Sequence, residues 1–167
     1  MWFWVLSLTV LLVGFVAFTG APYVPSRRKD VEVAFTRLYP LGKNDFLVDI
    51  GSGDGVVLRM ASRYGARALG LEIHPLLVLV SKYLSRGDKN VAVRIANFWH
   101  AELPQDTTVV YTFGDSRDIG KMYAKVQREA TRLGKKIAFI SYAFEVPGAV
   151  LAKTVGAHHL YWANPLQ

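Results

Sequence analysis

Hydrophobic positions along this chain change their spacing several times, and each change marks an element. The first apolar run carries no charged side chain from Met1 to Ser26, and between Trp2 and Phe18 only Ser7, Thr9 and Gly14 interrupt it. A helix over residues 2–20 would rise roughly 28 Å, close to the ~30 Å of bilayer hydrocarbon. Trp2 and Trp4 at one end and Tyr23 at the other stand where aromatic rings favour the headgroup layers. Residues 1–20 are therefore expected to form a transmembrane anchor. Beyond it, helical and strand spacings alternate. The pattern predicts a helix over 28–39, a strand over 46–50, a helix over 55–64, a strand over 68–72 and a helix over 75–85. It continues with strands over 91–96 and 108–113, a helix over 117–133 and a strand over 136–144. A further strand is expected over 159–163, and a short one near Val150. Strands alternating with helices predict an α/β domain, a parallel sheet covered on both faces. The chain thus divides into an anchor over 1–20, a proline-containing linker over 21–26 and one domain over 27–167.

The flanks of the apolar run bear on its fate. A cleaved signal peptide would fit the small residues between Ala17 and Ala21, but it would begin with positive side chains, and here Arg27, Arg28 and Lys29 follow the run. Those cations are expected to hold the domain on the cytoplasmic side. Pro22 and Pro25 favour an extended chain, and at about 3.1 Å per residue the stretch from Phe18 to Ser26 reaches at most ~25 Å. The domain is expected close to the bilayer, which favours acceptors in or on the membrane. With no cysteine in the chain, disulfide and thiolate chemistry are excluded.

The stretch Val48-Asp49-Ile50-Gly51-Ser52-Gly53-Asp54-Gly55 runs from a strand into a glycine-rich turn that opens a helix. Glycines there let a ligand approach backbone N–H groups at a helix N-terminus. A dinucleotide fingerprint counted from Gly51 would require Gly or Ala where Val56 stands, which demotes nicotinamide cofactors. The spacing Asp-x-Gly-x-Gly-x-Gly instead resembles the first motif of seven-strand methyltransferases that use S-adenosylmethionine (SAM). That resemblance implies a Rossmann-like sheet whose turn holds the methionine part of the cofactor. Glu72 ends the next strand, where a carboxylate can accept hydrogen bonds from both ribose hydroxyls. Asp54 reads either as a helix cap or as a partner of the cofactor ammonium. Asn97 stands where this class commonly has an acid for the adenine amino group, and its amide oxygen accepts one N–H without the strength of a full charge. Phe98 or Trp99 can flank the adenine or simply pack.

More narrowly, the chain resembles the small membrane-anchored lysine methyltransferases that modify the adenine nucleotide translocase and the ATP synthase c subunit in mitochondria. The resemblance rests on the apolar N-terminal segment, Pro22-Tyr23-Val24-Pro25-Ser26, the glycine turn, Gly70-Leu71-Glu72-Ile73-His74-Pro75, Asn97-Phe98-Trp99 and Phe113-Gly114. His74 departs from a usual Asn, Asn97 from a usual Asp, and the tail is short. The resemblance implies SAM as cofactor, held by Asp49, Gly51, Ser52, Gly53, Asp54, Gly55, Glu72, Asn97 and Phe98, and transfer of its methyl to a lysine of a membrane protein. Such an acceptor, with an ordinary pKa of about 10.4, must lose a proton first, and desolvation promotes that. Candidates to face it are Tyr23 from the linker and Tyr111, Phe113 and Asp115 at the mouth of the fourth strand. Core packing for Phe113 and a helix cap for Asp115 are equally open readings. Two other functions stand beside this one: methylation of a membrane lipid or small lipophilic molecule, and a non-catalytic SAM-binding module.

The formal net charge of +7 adds one further feature. Arg117, Lys121, Lys125, Arg128 and Arg132 recur at helical spacing, while Met122, Tyr123, Val126, Ala130 and Leu133 supply the opposite, packing face. The basic stripe reads as a solvated helix face or as a contact for anionic lipid headgroups. Nucleic acid is not expected beside a membrane anchor and without an RNA-binding signature. No Gly-x-Ser-x-Gly, His-Glu-x-x-His or Walker loop is present. Adjacent His158 and His159 on a strand point to opposite faces, and His74 and His100 stand apart, so no metal is expected.

Overall fold

The computed structural model describes Phe3 and residues 26–166. Apart from Phe3 and Ser26, the expected anchor and linker, Tyr23 included, lie outside the described residues. Among the described residues, no helix is long and apolar enough to cross a membrane.

The chain begins with α1 (Arg28–Val33), which widens into a π-helical turn (Ala34–Leu38). The spacing over 28–39 predicts one regular helix; the wider turn instead points Ala34, Phe35 and Leu38 inward together. Then follow β1 (Phe46–Ile50), α2 (Val56–Arg63), β2 (Arg67–Glu72), α3 (Pro75–Leu84) and β3 (Val91–Ile95). The second half holds β4 (Val109–Thr112), α4 (Ile119–Leu133), β5 (Ile137–Tyr142), β6 (Leu151–Val155) and β7 (His158–Ala163). The expected α4 start at residue 117 moves to Ile119. The Asp115 carboxylate accepts the N–H groups of Arg117 at 3.0 Å and Asp118 at 2.9 Å, which holds that stretch in a turn.

Seven strands form one sheet in the order β3-β2-β1-β4-β5-β7-β6. The expected wholly parallel sheet is corrected at its last strands, because β7 runs antiparallel to both β5 and β6. β6 and β7 are joined by a tight turn at Gly156, φ +61°, and so short a connection joins antiparallel strands only.

One face of the sheet is covered by α1, its π turn, α2 and α3, through Phe35, Leu47, Leu58, Val78 and Tyr111. α4 covers the other with Ile119, Val126, Ala130 and Leu133, joined by Phe98 and Leu103 from the loop after β3. Each fully buried large side chain contributes roughly 1.5–3 kcal/mol. α3 is covered on one side only: Val78 and Ser81 are buried, while Leu76, Leu79, Val80, Tyr83 and Leu84 are exposed. The carboxyl ends of β1 to β5 lie along one edge of these layers, where an open α/β sheet binds ligands.

Candidate functional site

β1 runs out of the core at Ile50 into three glycines with left-handed backbone, Gly51 at φ +72°, Gly53 at +54° and Gly55 at +81°. Residues with a Cβ adopt this region at a cost of roughly 1–2 kcal/mol. Two of them differ in what a side chain would meet. A Cβ on Gly55 would lie 2.1 Å from Ser81 Oγ, so this glycine lets α2 start hard against α3. A Cβ on Gly51 would meet nothing within 4 Å, so that position opens onto ligand space.

The expected donation of turn N–H groups to a ligand is corrected. Gly51 N–H is bonded to Leu71 O at 2.8 Å, Gly53 N–H to Glu72 Oε2 at 2.9 Å and Gly55 N–H to Ser52 O at 2.8 Å. The turn is thereby tied to the end of β2.

Glu72 is the other half of that tie. Its carboxylate is buried and bridges two backbone donors, Gly53 N–H on Oε2 and His74 N–H on Oε1 at 2.8 Å. Asp49, also buried, has its carboxyl pushed well above the usual range by burial, and further by the charges of Glu72 and Asp54. A cation placed beside this group relieves that cost. Asp54 serves the turn: Oδ1 accepts Val56 N–H at 3.1 Å and Oδ2 pairs with Arg59 at 3.2 Å. Ser52 is buried beneath the turn.

A pocket of about 230 Å³ opens beside these groups, lined by Ile50, Gly51, Leu71, Glu72, Ile73, Ala96, Asn97, Phe98, Trp99 and Met122. The structure thereby brings together Gly51, Glu72, Asn97 and Phe98 from the expected set. Phe98 is buried, its ring 5.4 Å from that of Trp99. Asn97 Oδ1 accepts Trp99 N–H at 3.0 Å, which spends one of its two lone pairs. Ile73, Ala96 and Met122 were not legible from sequence. Ile73 follows Glu72 and Ala96 ends the third predicted strand, so strand ends held the only signal for them. A larger groove of about 620 Å³ runs between α4 and the loop before β6. It offers no carboxylate, histidine or lysine, and the glycine turn does not border it.

On the acceptor side the predicted residues separate. Tyr111 lies in the core, its Oη 3.0 Å from His158 Nε2, and burial together with the Asp49 charge pushes its pKa up. Phe113 stands at the surface, 36% exposed, edge-on to Tyr142 at 4.9 Å, so core packing does not explain it. Asp115 holds the turn before α4 and pairs with Arg117, while the N-cap position of α4 falls on Asp118. Tyr142 and Asp30, joined by a 3.1 Å hydrogen bond, and buried His158 escaped the sequence reading as site residues.

The basic stripe of α4 is largely satisfied within the protein. Arg117 pairs with Asp115 and Asp118, Lys121 with Asp118 at 3.3 Å, and Arg132 with Glu129 at 2.6 Å. Lys125 lies 5.3 Å above the Phe98 ring. Of the five, Arg128 alone enters no ion pair or ring contact among the described residues.

No family model matches the chain. It is 32% identical over 111 residues to the ATP synthase c-subunit lysine N-methyltransferase of Homo sapiens, covering 65% of this chain and 46% of that protein. The Xenopus laevis protein of the same name is 28% identical over 120 residues, covering 70% and 52%. The chain thus spans about half the length of the curated relatives it matches. Among solved structures, an RNA methyltransferase from Salinibacter ruber in complex with S-adenosyl-L-homocysteine superposes with a TM-score of 0.74 at 24% identity, covering 83% of this chain and 92% of that one. A geranyl diphosphate C-methyltransferase from Streptomyces coelicolor gives a TM-score of 0.52 at 21% identity, covering 68% and 44%. The chain therefore has the fold of SAM-dependent methyltransferases, and over 65% of its length it is similar to lysine N-methyltransferases named for the c subunit of ATP synthase.

Proposed function

We propose that this chain is a SAM-dependent methyltransferase, tethered to a membrane by residues 1–20 with its domain on the cytoplasmic side, and that it N-methylates a lysine of a membrane protein. One observation carries the cofactor half: the buried Glu72 carboxylate, fixed by Gly53 and His74 N–H groups beside the open face of Gly51. The site fits SAM group by group. A carboxylate suits two ribose hydroxyls, and the apolar side chains Ile73, Ala96 and Met122 suit a flat ring. The buried carboxyl of Asp49 suits a cationic ligand. When bound, SAM supplies an electrophilic methyl group. What remains for the chain is to hold an amine in line with it and keep water out, and positioning of that kind contributes most of the catalysis.

The lysine acceptor draws its support from the relatives named lysine N-methyltransferases, and the membrane from the sequence. The apolar run and the short linker favour work at the bilayer, as do the exposed apolar residues of α3. Leu76, Leu79, Val80 and Tyr83, with Lys82 and Arg86 on the same helix and its end, suit an anionic lipid surface better than the paired stripe of α4. A second reading, methylation of a lipid headgroup amine, is favoured by that same face of α3, which would bring headgroups beside the domain. Membranes incubated with the protein and methyl-labelled SAM test both. Label in a protein band, recovered as methyllysine on acid hydrolysis, supports the first reading. Label confined to the lipid extract replaces it with the second, and no label in either refutes enzymatic transfer.

A further inference from the structure

The cofactor pocket occupies the ends of β1 to β3, and a separate cluster stands at the ends of β4 and β5. Its members come from distant parts of the chain. Tyr142, the last residue of β5, donates its hydroxyl to Asp30 Oδ2 of α1 at 3.1 Å, across 112 positions of sequence. Phe113, just past β4, meets the Tyr142 ring edge-on at 4.9 Å and 85°. The His158 ring lies 4.7 Å from Tyr142 on its other side. Burial pushes the His158 pKa down to about 4, so this ring is uncharged at neutral pH and does not repel a cation.

The cluster is open at its mouth. Phe113 is 36% exposed, and Asp30 and Tyr142 are half-buried. Asp30 Oδ1 accepts no hydrogen bond among the described residues, and Asp30 enters no ion pair there. Arg27 acts on Tyr142 only through its field. Two further facts place the cluster. Asp49, which leads into the glycine turn, is the register partner of Tyr111 on β4, and the Tyr111 hydroxyl lies 3.0 Å from Nε2 of the same His158 that meets Tyr142, so the cluster neighbours the cofactor end. And Ala143, next to Tyr142, is the only non-glycine with positive φ among the described residues, at +69°, held there by its N–H to Ala157 O at 2.7 Å. Strain of this kind persists where the surroundings fix one side-chain position.

We propose that Asp30, Tyr142 and Phe113 form the receiving site for an aliphatic ammonium group, the side-chain end of the methyl acceptor. The assignment to an acceptor rests on the methyltransferase reading above. A carboxylate with one oxygen that accepts no hydrogen bond among the described residues can give a charge-assisted hydrogen bond, and partly exposed aromatic rings hold a cation against their faces. An anionic acceptor would be repelled by that carboxylate, and a neutral hydroxyl gains only an uncharged donor's hydrogen bond from it. The competing account is a strap, in which the Asp30–Tyr142 bond only fastens α1 to the sheet. Asp30→Asn separates the two, because its amide oxygen still accepts the Tyr142 hydroxyl while the charge is gone.

The test uses the full chain in detergent and saturation-transfer NMR with n-butylammonium chloride, n-butanol serving as the neutral control. SAM affinity is measured calorimetrically on the same samples. Butylammonium is expected to bind and butanol not. Asp30→Asn should weaken butylammonium about fivefold, the scale of a partly exposed ion pair, with SAM affinity and melting temperature unchanged, and Asp30→Glu should restore it. Tyr142→Phe keeps both rings and should weaken it about twofold. Wild-type affinity in a folded Asp30→Asn, or equal binding of butanol, overturns the site and leaves the strap. Failure of the unmutated chain to bind SAM refutes the methyltransferase reading instead, and with it the identity of the ammonium as acceptor, whichever way the butylammonium titration falls.

Discussion

Glu72 bears two loads at once, and its replacement separates them. In Glu72→Ala, two backbone donors lose a charged acceptor, the buried Gly53 N–H at 2.9 Å and the part-buried His74 N–H at 2.8 Å. Hydrogen bonds to charged groups contribute about 1.5–3 kcal/mol each. Part of this loss is offset, because removing the carboxylate also removes the repulsion it exerts on buried Asp49. A net destabilisation of roughly 2–4 kcal/mol follows, a fall in melting temperature of about 10 °C for a domain of this size. Glu72→Gln retains one acceptor oxygen and should lose about half as much. The ligand loses more evenly. If two ribose hydroxyls donate to this carboxylate, either variant gives up both charged bonds, and SAM affinity should fall about 100-fold or more. Thermal unfolding without ligand and calorimetric titration with SAM measure the two losses independently. A folded Glu72→Gln that binds SAM within threefold of the unmutated chain would refute the placement of the ribose at Glu72.

The two glycines of the turn should part company in the same assays. Gly51→Ala adds only the backbone cost of a positive φ, about 1–2 kcal/mol, yet should lose most SAM affinity, whereas Gly55→Ala drives a Cβ to within 2.1 Å of Ser81 Oγ and should destabilise the fold itself. Equal effects of both on stability would contradict the division between ligand space and packing. Buried His158 titrates near pH 4 in the folded chain against an ordinary 6.5, so its contribution is complete above pH 6.5 and is lost as pH falls toward 4. The unfolded chain takes up a proton that the folded chain refuses, worth roughly 3 kcal/mol over that window. Urea unfolding at pH 7 and pH 4.5 should show a smaller difference in His158→Gln than in the unmutated chain. Asp49, raised by burial and by Glu72, should release a proton when a cationic ligand settles beside it, so SAM affinity should rise with pH. Calorimetry in two buffers of different ionisation enthalpy reads that proton, and Asp49→Asn should abolish it.

How much of this was legible in the sequence follows from how each part is built. The cofactor edge rests on backbone geometry, and glycines at 51, 53 and 55 advertise positive φ in any context. Glu72 ends a short continuous apolar run, Ala68 to Leu71, which reads as a buried strand, so its position after the turn could be read directly. The strand order past β5 was hidden because the pattern of buried residues in β7 is the same whichever way the strand runs. Only the two-residue connection from Val155 to His158 decides its direction. The stripe of α4 was over-read for a related reason. Helical spacing put its cations in a row, but their partners Asp115, Asp118, Glu102 and Glu129 lie partly off that row, in the preceding loops and one turn inward.

Of the acceptor edge only Phe113 was legible in the sequence, because none of its other residues has that single purpose. Tyr142 ends a core strand, Asp30 sits in a six-residue helix, and His158 opens an edge hairpin. Each has an adequate local explanation, and their convergence depends on the 112-residue separation that the sheet order closes. Such an edge also differs from the cofactor edge in what can change it. Glu72 is bound to two backbone groups, and its replacement disturbs the turn itself. Asp30 and Phe113 meet Tyr142 through side chains, a hydrogen bond and a ring edge, and neither side chain makes a hydrogen bond or ring contact with the glycine turn among the described residues, so they can vary without disturbing it. A methyltransferase sheet can therefore keep its cofactor while exchanging acceptors. By this reasoning the acceptor of the present chain is encoded at residues 30, 113 and 142 rather than in the glycine motif that makes the fold easy to recognise.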